Sequence, residues 1–517
     1  MGTGKSTVGP LLAARLGIPF VDTDKEVEAR AGRPVPELWQ ALGEAGFRAA
    51  EREVVEGLLQ TPEARVVSLG GGTLTQRDLR HQLLTRGLVV TLEATTDALM
   101  QRLGDVQASR PNLRGPDLRA RIDSLRTLRA GDYAEAHASI DTTDRSADEV
   151  CDLIERLAAN APPLVMPLGE RSYRIAQTVG SPEVLTDCLA ELAPSHLIVV
   201  TDSNVIRARG AYLDRALGHL AIESTRITLP PGELHKNLGS VGLIWDAALG
   251  VGIDRNAVVL AFGGGVVGDL AGFAASTLLR GVRFVQAPTT LLSMVDSSVG
   301  GKTGFDHTAG KNLVGSFHQP CAVVIDTEHL MTLAPRELRA GAVEMIKQGL
   351  IDDASLFEAL ETSPELIAEC MYRGLAPVIS QAVAGKIRIV AADEREQGVR
   401  ALLNLGHTIG HALESATGYR TWLHGEAVGL GLLAEMRFGL AQGLSPEAPI
   451  ERVQTLLSKL GLPISIPDAT RLRAAGHLRA DKKRSGDHVR LPLCQTVGRS
   501  DLHRVSIKSL ESALRGT

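Results

Sequence analysis

Short apolar runs alternate with amphipathic stretches along the first third of the chain. Residues 18–21, 65–69 and 88–92 read as buried strands and the segments between them as helices, which predicts an α/β unit with a parallel sheet. The segment RSADEVCDLIERLAANAPPL then places Val150, Leu153, Ile154 and Leu157 on one helical stripe and stops before Pro162 and Pro163. This break sets residues 1–158 apart as one domain, with 159–163 as a linker. Beyond it HLIVVTDSN, residues 225–228, AVVLAFGGG, FVQAPTT and AVVIDT again alternate with helical segments, so residues 164–334 read as a second α/β domain. From about Pro335 to Gly443 strand signals vanish, while ELRAGAVEMIKQGLI and GHTIGHALESA carry helical spacing. Residues 335–517 are therefore expected to form a mainly α-helical domain.

A length of 517 residues agrees with more than one core. Only 3% of residues are aromatic and the net charge is −5, so the chain has neither base-stacking surfaces nor a basic field, and no nucleic acid partner is expected. Anionic small molecules must be caught by local Lys and Arg clusters. Cys151, Cys188, Cys321, Cys370 and Cys494 are odd in number, scattered and without a CxxC pair, which argues for a reducing compartment. Apolar runs of membrane-spanning length are broken by Gly clusters or charge, and no signal pattern opens the chain. The sequence thus reads as cytoplasmic, with no membrane partner.

Two segments carry phosphate chemistry. In MGTGKST, the loop Gly2, Thr3, Gly4, Lys5, Ser6, Thr7 precedes an apolar helix. Its backbone N–H groups can cradle the phosphates of ATP, Lys5 adds positive charge, and Ser6 can ligate magnesium. In AFGGGVVGDLAGF, Gly263, Gly264 and Gly265 follow a strand and open a helix that continues through Val266, Val267, Gly268 and Asp269, a setting in which a dinucleotide pyrophosphate approaches backbone. It is not a GxGxxG fingerprint. Asp202, Asn204, Glu233, Lys236, Thr289, Thr290 and Thr332 are polar candidates for the same cofactor.

His407 and His411 share a helical face at i and i+4, and either could ligate a metal. His424 in LHGEAVG and Glu344 in AVEMIKQG extend the set; two histidines and one carboxylate make an open catalytic site rather than a closed structural one. Arg280, Lys302, Lys311, Asn312, Lys347, Lys386, Arg400 and Asn404 supply anion binders, and Asp296 and Glu396 lie in the same segments. Lys302 and Lys311 fall among glycines and small polar residues, which predicts a ligand loop.

Residues 1–158 resemble shikimate kinase through GKST, Asp22 and Asp24 in FVDTDKEVE, Arg48 in GEAGFRAAE, SLGGGT, Arg110 in SRPNL, and Arg129 ahead of Tyr133. The resemblance implies that Asp24, Arg48, Arg129 and Gly70, Gly71 and Gly72 hold shikimate, that Arg110 lies over ATP, and that magnesium accompanies the nucleotide. The family's phosphate loop starts two residues before Met1 and follows a central strand, so the natural chain is expected to begin upstream; a non-catalytic nucleotide-binding module is the alternative.

From about Pro163 onward LNLGHTIGHALE, LHGEAVG, AVEMIKQG, GGGVVGDLAGF, PTTLLSMVDSSVGGKTG and the DKK of Asp481, Lys482 and Lys483 resemble 3-dehydroquinate synthase. The resemblance implies NAD, one zinc or cobalt ion, and conversion of 3-deoxy-arabino-heptulosonate 7-phosphate to 3-dehydroquinate and phosphate. It assigns Glu344, His407 and His424 to the metal. His411 goes to the substrate shell with Asp296, Lys302, Asn312, Lys347, Lys386, Glu396, Arg400 and Asn404, and Lys482 and Lys483 join it. Lys302 and Lys311 also border the cofactor. Arg280 is expected to reach a neighbouring subunit, hence a homodimer. A related sugar-phosphate cyclase or a metal-dependent NAD alcohol dehydrogenase is the rival reading. The expected fold is α/β throughout: a P-loop kinase-type parallel sheet, an NAD-binding α/β domain, and a mainly α-helical metal-binding domain.

Overall fold

The computed structural model describes residues 2–103, 117–158, 162–480 and 487–516. The chain divides into two compact units, Met1–Arg174 and Ile175–Thr517.

In the first unit Phe20–Asp22 (β1) pairs in parallel with Val66–Ser68 (β2), and Val90–Glu93 (β3) with Ala138–Asp141 (β4). The expected parallel sheet is thus present as two separate two-stranded pieces. A cavity of about 1290 Å³ opens between β2 and β3, lined by Val67, Leu69, Val90 and Leu92 and reaching Lys5, Gly70, Gly71 and Arg129. The inner edges of β2 and β3 have no strand partner among the described residues. Helix Ala147–Ala158 lays Val150, Cys151 and Ile154 against Val8 and Leu12 of helix Lys5–Leu16; of the stripe read from its spacing, Val150 and Ile154 are buried there and Leu153 and Leu157 partly so. Leu164–Met166 (β5) lies near the end of this unit, and Tyr173–Thr178 (β6) crosses the division.

The second unit holds Leu197–Asp202 (β7), Ser224–Leu229 (β8), Val258–Gly263 (β9), Arg283–Pro288 (β10), Lys302–His307 (β11), Gly310–Phe317 (β12) and Ala322–Asp326 (β13). Its sheet runs β6-β13-β10-β9-β7-β8, with parallel pairing from β13 through β8. Ile198, Val200, Val259 and Ala261 face one core, and Leu197, Val199, Val258 and Leu260 the other. Both faces are buried, which is why these strands read as continuous apolar runs instead of alternating ones.

The segment with Lys302, Lys311 and Asn312 is not a loop but an antiparallel hairpin, β11 with β12. Gly304 and Gly315 face each other there so closely that a Cβ on either would meet backbone at 2.5 Å or less. The glycines signal tight strand pairing rather than irregular backbone. The remainder is mainly helical, as expected, but His488–Thr496 (β14) and Arg499–Ser506 (β15) add a second hairpin.

Helix Pro335–Asp352 buries nearly every residue from Leu338 to Ile351. Helix Tyr372–Ala392 is long and apolar enough to cross a membrane, yet 56% of its apolar window is buried inside the protein. Its Lys386 pairs with Asp296, and that partner makes it a core helix.

Candidate active sites

In the second unit, Glu344 projects from Pro335–Asp352, and His407 and His424 are the first residues of helices His407–Ala416 and His424–Ala441. His407 Nε2 lies 3.7 Å and His424 Nε2 3.9 Å from Glu344 Oε1. Each ring is oriented through its other nitrogen: His407 Nδ1 lies 3.2 Å from Leu405 O, and His424 Nδ1 3.4 Å from Glu414 Oε2. This leaves both Nε2 atoms aimed at the carboxylate. Neither oxygen of Glu344 has a hydrogen-bond partner although the residue is 3% exposed; Lys347, one turn on, ion-pairs with it. A buried carboxylate facing two ring nitrogens suits one divalent cation with open positions. His411 sits beside the set, its ring 5.4 Å from His407 and 5.9 Å from His424. His411, Glu414 and His424 could also gather a cation. Glu414 escaped the sequence reading, although it falls on the His407 and His411 face of the helix.

Charge in this site is paired. Lys386 Nζ donates to both the carbonyl and the carboxylate of Asp296. Burial alone would raise the Asp296 carboxyl, but Lys386 and Lys347 hold it well below the ordinary range. Lys386 is itself pushed down by burial, with Lys347 and Arg400 adding to the effect. Lys302 pairs with Glu396, whose other oxygen accepts from Asn404 Nδ2 at 2.8 Å; these two outweigh burial and keep the Glu396 carboxyl low. Arg400, 1% exposed, donates to Gly300 O at 3.0 Å and to Glu394 O.

A ladder of ion pairs links the metal-type set to the candidate nucleotide loops. Lys311 bridges Glu414 (3.4 Å) and Glu233 (3.0 Å), and Lys236 Nζ meets Asp269 Oδ2 and Asn312 Oδ1, each at 2.6 Å. Gly264 caps helix Gly265–Thr277, which carries Val266, Val267 and Gly268; a Cβ on Gly264 would lie 3.1 Å from Thr290. Thr289 N donates to Gly263 O at 2.9 Å, and Thr290 Oγ1 pairs with Ser293 Oγ at 2.8 Å. Together these hold the β9 and β10 ends close and leave room for backbone-to-phosphate approach. Asp202 caps its own helix by accepting from Asn204 and Val205 N, Asn204 accepts from Arg207, and Thr332 Oγ1 donates to His329 O. These three make ordinary turn contacts. Arg280 is exposed at a left-handed turn (φ 68°). Lys482 and Lys483 lie outside the described residues.

In the first unit Gly2 and Gly4 take left-handed φ of 73° and 92°, and Gly4 opens helix Lys5–Leu16, with Ser6 and Thr7 exposed in its first turn. Arg48 pairs with the fully buried Glu51 at 2.7 Å. Cβ atoms on Gly70 and Gly72 would fall 2.1 Å from Glu51 Oε1 and Arg48 Nη2, so any larger residue would displace one of these side chains. Asp24 lies against Glu51; burial first, then Glu51 and Asp22, raise its carboxyl, opposed by Lys5 and Arg48. Tyr133, beside Arg129, donates to Gly71 O at 2.6 Å. Asp24 and Arg48 thus lie around Glu51 and the Gly70–72 turn, with Arg129 reaching that turn through Tyr133. Glu51 was not foreseen; it lies one helical turn from Arg48. Arg110 lies outside the described residues.

Residues 226–340 and 341–484 match the N-terminal and C-terminal 3-dehydroquinate synthase families, and residues 1–158 match shikimate kinase. A 3-dehydroquinate synthase from Gloeobacter violaceus is 46% identical over 343 residues, 65% of this chain and 93% of the relative. The chain belongs to the 3-dehydroquinate synthase family. It carries a shikimate kinase domain ahead of the synthase domain. Among solved structures, 2-epi-5-epi-valiolone synthase from Streptomyces hygroscopicus subsp. jinggangensis 5008, with NAD+ and Zn2+ bound, is 32% identical at a TM-score of 0.60, covering 66% of this chain and 95% of that one. A 2-deoxy-scyllo-inosose synthase complexed with carbaglucose-6-phosphate, NAD+ and Co2+ is 26% identical at 0.61, covering 67% and 97%.

Proposed function

We propose that the synthase domain converts 3-deoxy-arabino-heptulosonate 7-phosphate into 3-dehydroquinate and phosphate using NAD+ and one zinc or cobalt ion held by Glu344, His407 and His424. The observation that carries the metal assignment is the buried Glu344 carboxylate, whose Oε1 has no hydrogen-bond partner and faces two oriented Nε2 atoms while Oε2 ion-pairs with Lys347. When bound, NAD+ supplies a transient hydride acceptor and the divalent ion a Lewis acid. The chain's own residues do the rest. Lys302, Lys386, Lys347, Arg400 and Asn312 hold the carboxylate and phosphate of the substrate, fixing which atoms meet. Asp296, kept ionised by Lys386, orients hydroxyl groups. Glu396 and His411 are the groups placed to move protons. Lys236, Asp269 and the Gly264–Gly268 turn, with Lys311 and Glu233, border the dinucleotide.

The 46% identity to a 3-dehydroquinate synthase favours this substrate over those of the cyclases matched at 32% and 26%. Product and phosphate release are measured alongside absorbance at 340 nm. Product without net NADH is expected; steady NADH accumulation would replace the synthase reading by a dehydrogenase.

In the first unit the Gly2–Thr7 loop takes the phosphates of ATP, with magnesium at Ser6, while Arg48 and Arg129 take the shikimate carboxylate and Asp24 the hydroxyl to be phosphorylated. Shikimate-dependent ADP release tests this. The synthase domain forms a homodimer in which Arg280 reaches the neighbouring site, to be checked by light scattering with R280A. The setting is the cytoplasm.

A further inference from the structure

Glu435 is a buried carboxylate for which the reaction has no use. It lies about three turns beyond His424 on helix His424–Ala441 and is 0% exposed. Its oxygens accept the backbone N–H groups of Gly406 (2.7 Å) and Ile409 (2.9 Å), which bracket His407 at the start of the neighbouring helix.

The first N–H groups of a helix need outside acceptors, normally the side chain at the N-cap. Here that position is Gly406, left-handed at φ 79° and without a side chain. Glu435 supplies the acceptor from the next helix instead. The backbones are close enough for this because of glycine. A Cβ on Gly431 would lie 2.0 Å from Gly406 O, and one on Gly410 would lie 3.2 Å from Ala427 O. One carboxylate therefore ties the helix that begins at His407 to the helix that begins at His424. Burial pushes the Glu435 carboxyl up to about 8, against the pull of its N–H donors. An apolar residue would escape that burial cost but would leave two buried N–H groups unpaired.

We propose that Glu435 is a positioning residue that fixes the start of the His407 helix relative to His424 and thereby sets the affinity of the metal site. This rests on the reading of Glu344, His407 and His424 as ligands.

The test is cobalt titration of the metal-stripped full chain, followed by the visible absorption of bound Co2+, for the wild type, H407A, E435L and E435Q, with NAD+ affinity measured on each. Loss of Co2+ binding in H407A establishes the ligand reading; unchanged binding in H407A overturns that reading and the proposal with it. With the ligands established, the proposal expects Co2+ binding at least tenfold weaker in E435L, a smaller loss in E435Q, which keeps one acceptor oxygen, and NAD+ affinity within twofold of wild type. Co2+ affinity within twofold of wild type in both variants overturns it. So does a parallel fall in Co2+ and NAD+ affinity, which would mark general destabilisation. Should E435L fail to fold, E435Q carries the same comparison: weaker Co2+ binding with intact NAD+ affinity supports the proposal, and wild-type binding overturns it.

Discussion

Glu344 Oε1 lies 3.7 Å from His407 Nε2 and has no hydrogen-bond partner, while Oε2 of that buried carboxylate ion-pairs with Lys347. A site of this kind gains stability from a cation that binds only the folded state. Removing metal with a chelator is expected to lower the unfolding temperature of the synthase domain, and Zn2+ or Co2+ at about a hundred times Kd to restore about 2.7 kcal/mol. Calorimetry of wild type and E344Q checks this: the variant should show no metal-dependent shift.

Lys386 is buried and pairs with the partly exposed Asp296. Replacing Lys386 by Met strands the Asp296 charge, and the cost is expected to stay below the roughly 3–5 kcal/mol of breaking a fully buried pair. Urea unfolding should show that loss, together with a fall of at least a hundredfold in synthase kcat/KM. The double variant K386M/D296N should regain stability without regaining activity.

A Cβ on Gly72 would lie 2.1 Å from Arg48 Nη2. In G72A the guanidinium must move off its pairing with Glu51, so the shikimate KM is expected to rise at least tenfold with ATP affinity unchanged. Equal losses for both substrates would argue against a shikimate-binding role for Arg48.

His137 accepts Val89 N–H at 2.9 Å and is held neutral by burial, its pKa lowered to about 4. The unfolded chain takes up that proton near 6.5, so between about 6.5 and 4 the unfolded state binds more protons and stability falls as pH falls. For this residue the difference amounts to about 3 kcal/mol at the acid end. Urea midpoints of the kinase unit at pH 7 and 4.5 should differ less in H137N, which keeps an acceptor but does not titrate.

Much of the fold was legible because its signals are local. The apolar runs at β7 and β9, the helical stripe at Val150, Leu153, Ile154 and Leu157, and the four-residue step from His407 to His411 follow from the repeats of strand and helix. The hairpin of β11 and β12 was misread as a loop because glycine marks both irregular backbone and close strand contact. Only the facing of Gly304 and Gly315 separates the two. Glu414 and Glu435 passed unnoticed because a carboxylate on a helix is ordinarily a solvated one; burial, which depends on the neighbouring helices, gives each its partner.

The sequence by itself determined which residue types were available and where each lies on its own helix or strand: two histidines one helical turn apart, a third at a helix start, a glutamate on an apolar helix, glycines after a strand. Tertiary packing alone decided that Glu344, His407 and His424 meet with His411 beside them, that Lys386 pairs with Asp296, and that Glu435 reaches back to the helix that begins at His407. Backbone periodicity fixes a side chain's direction within one element. Bringing together atoms from segments tens of residues apart depends on how those elements close-pack, and that is a property of the whole core.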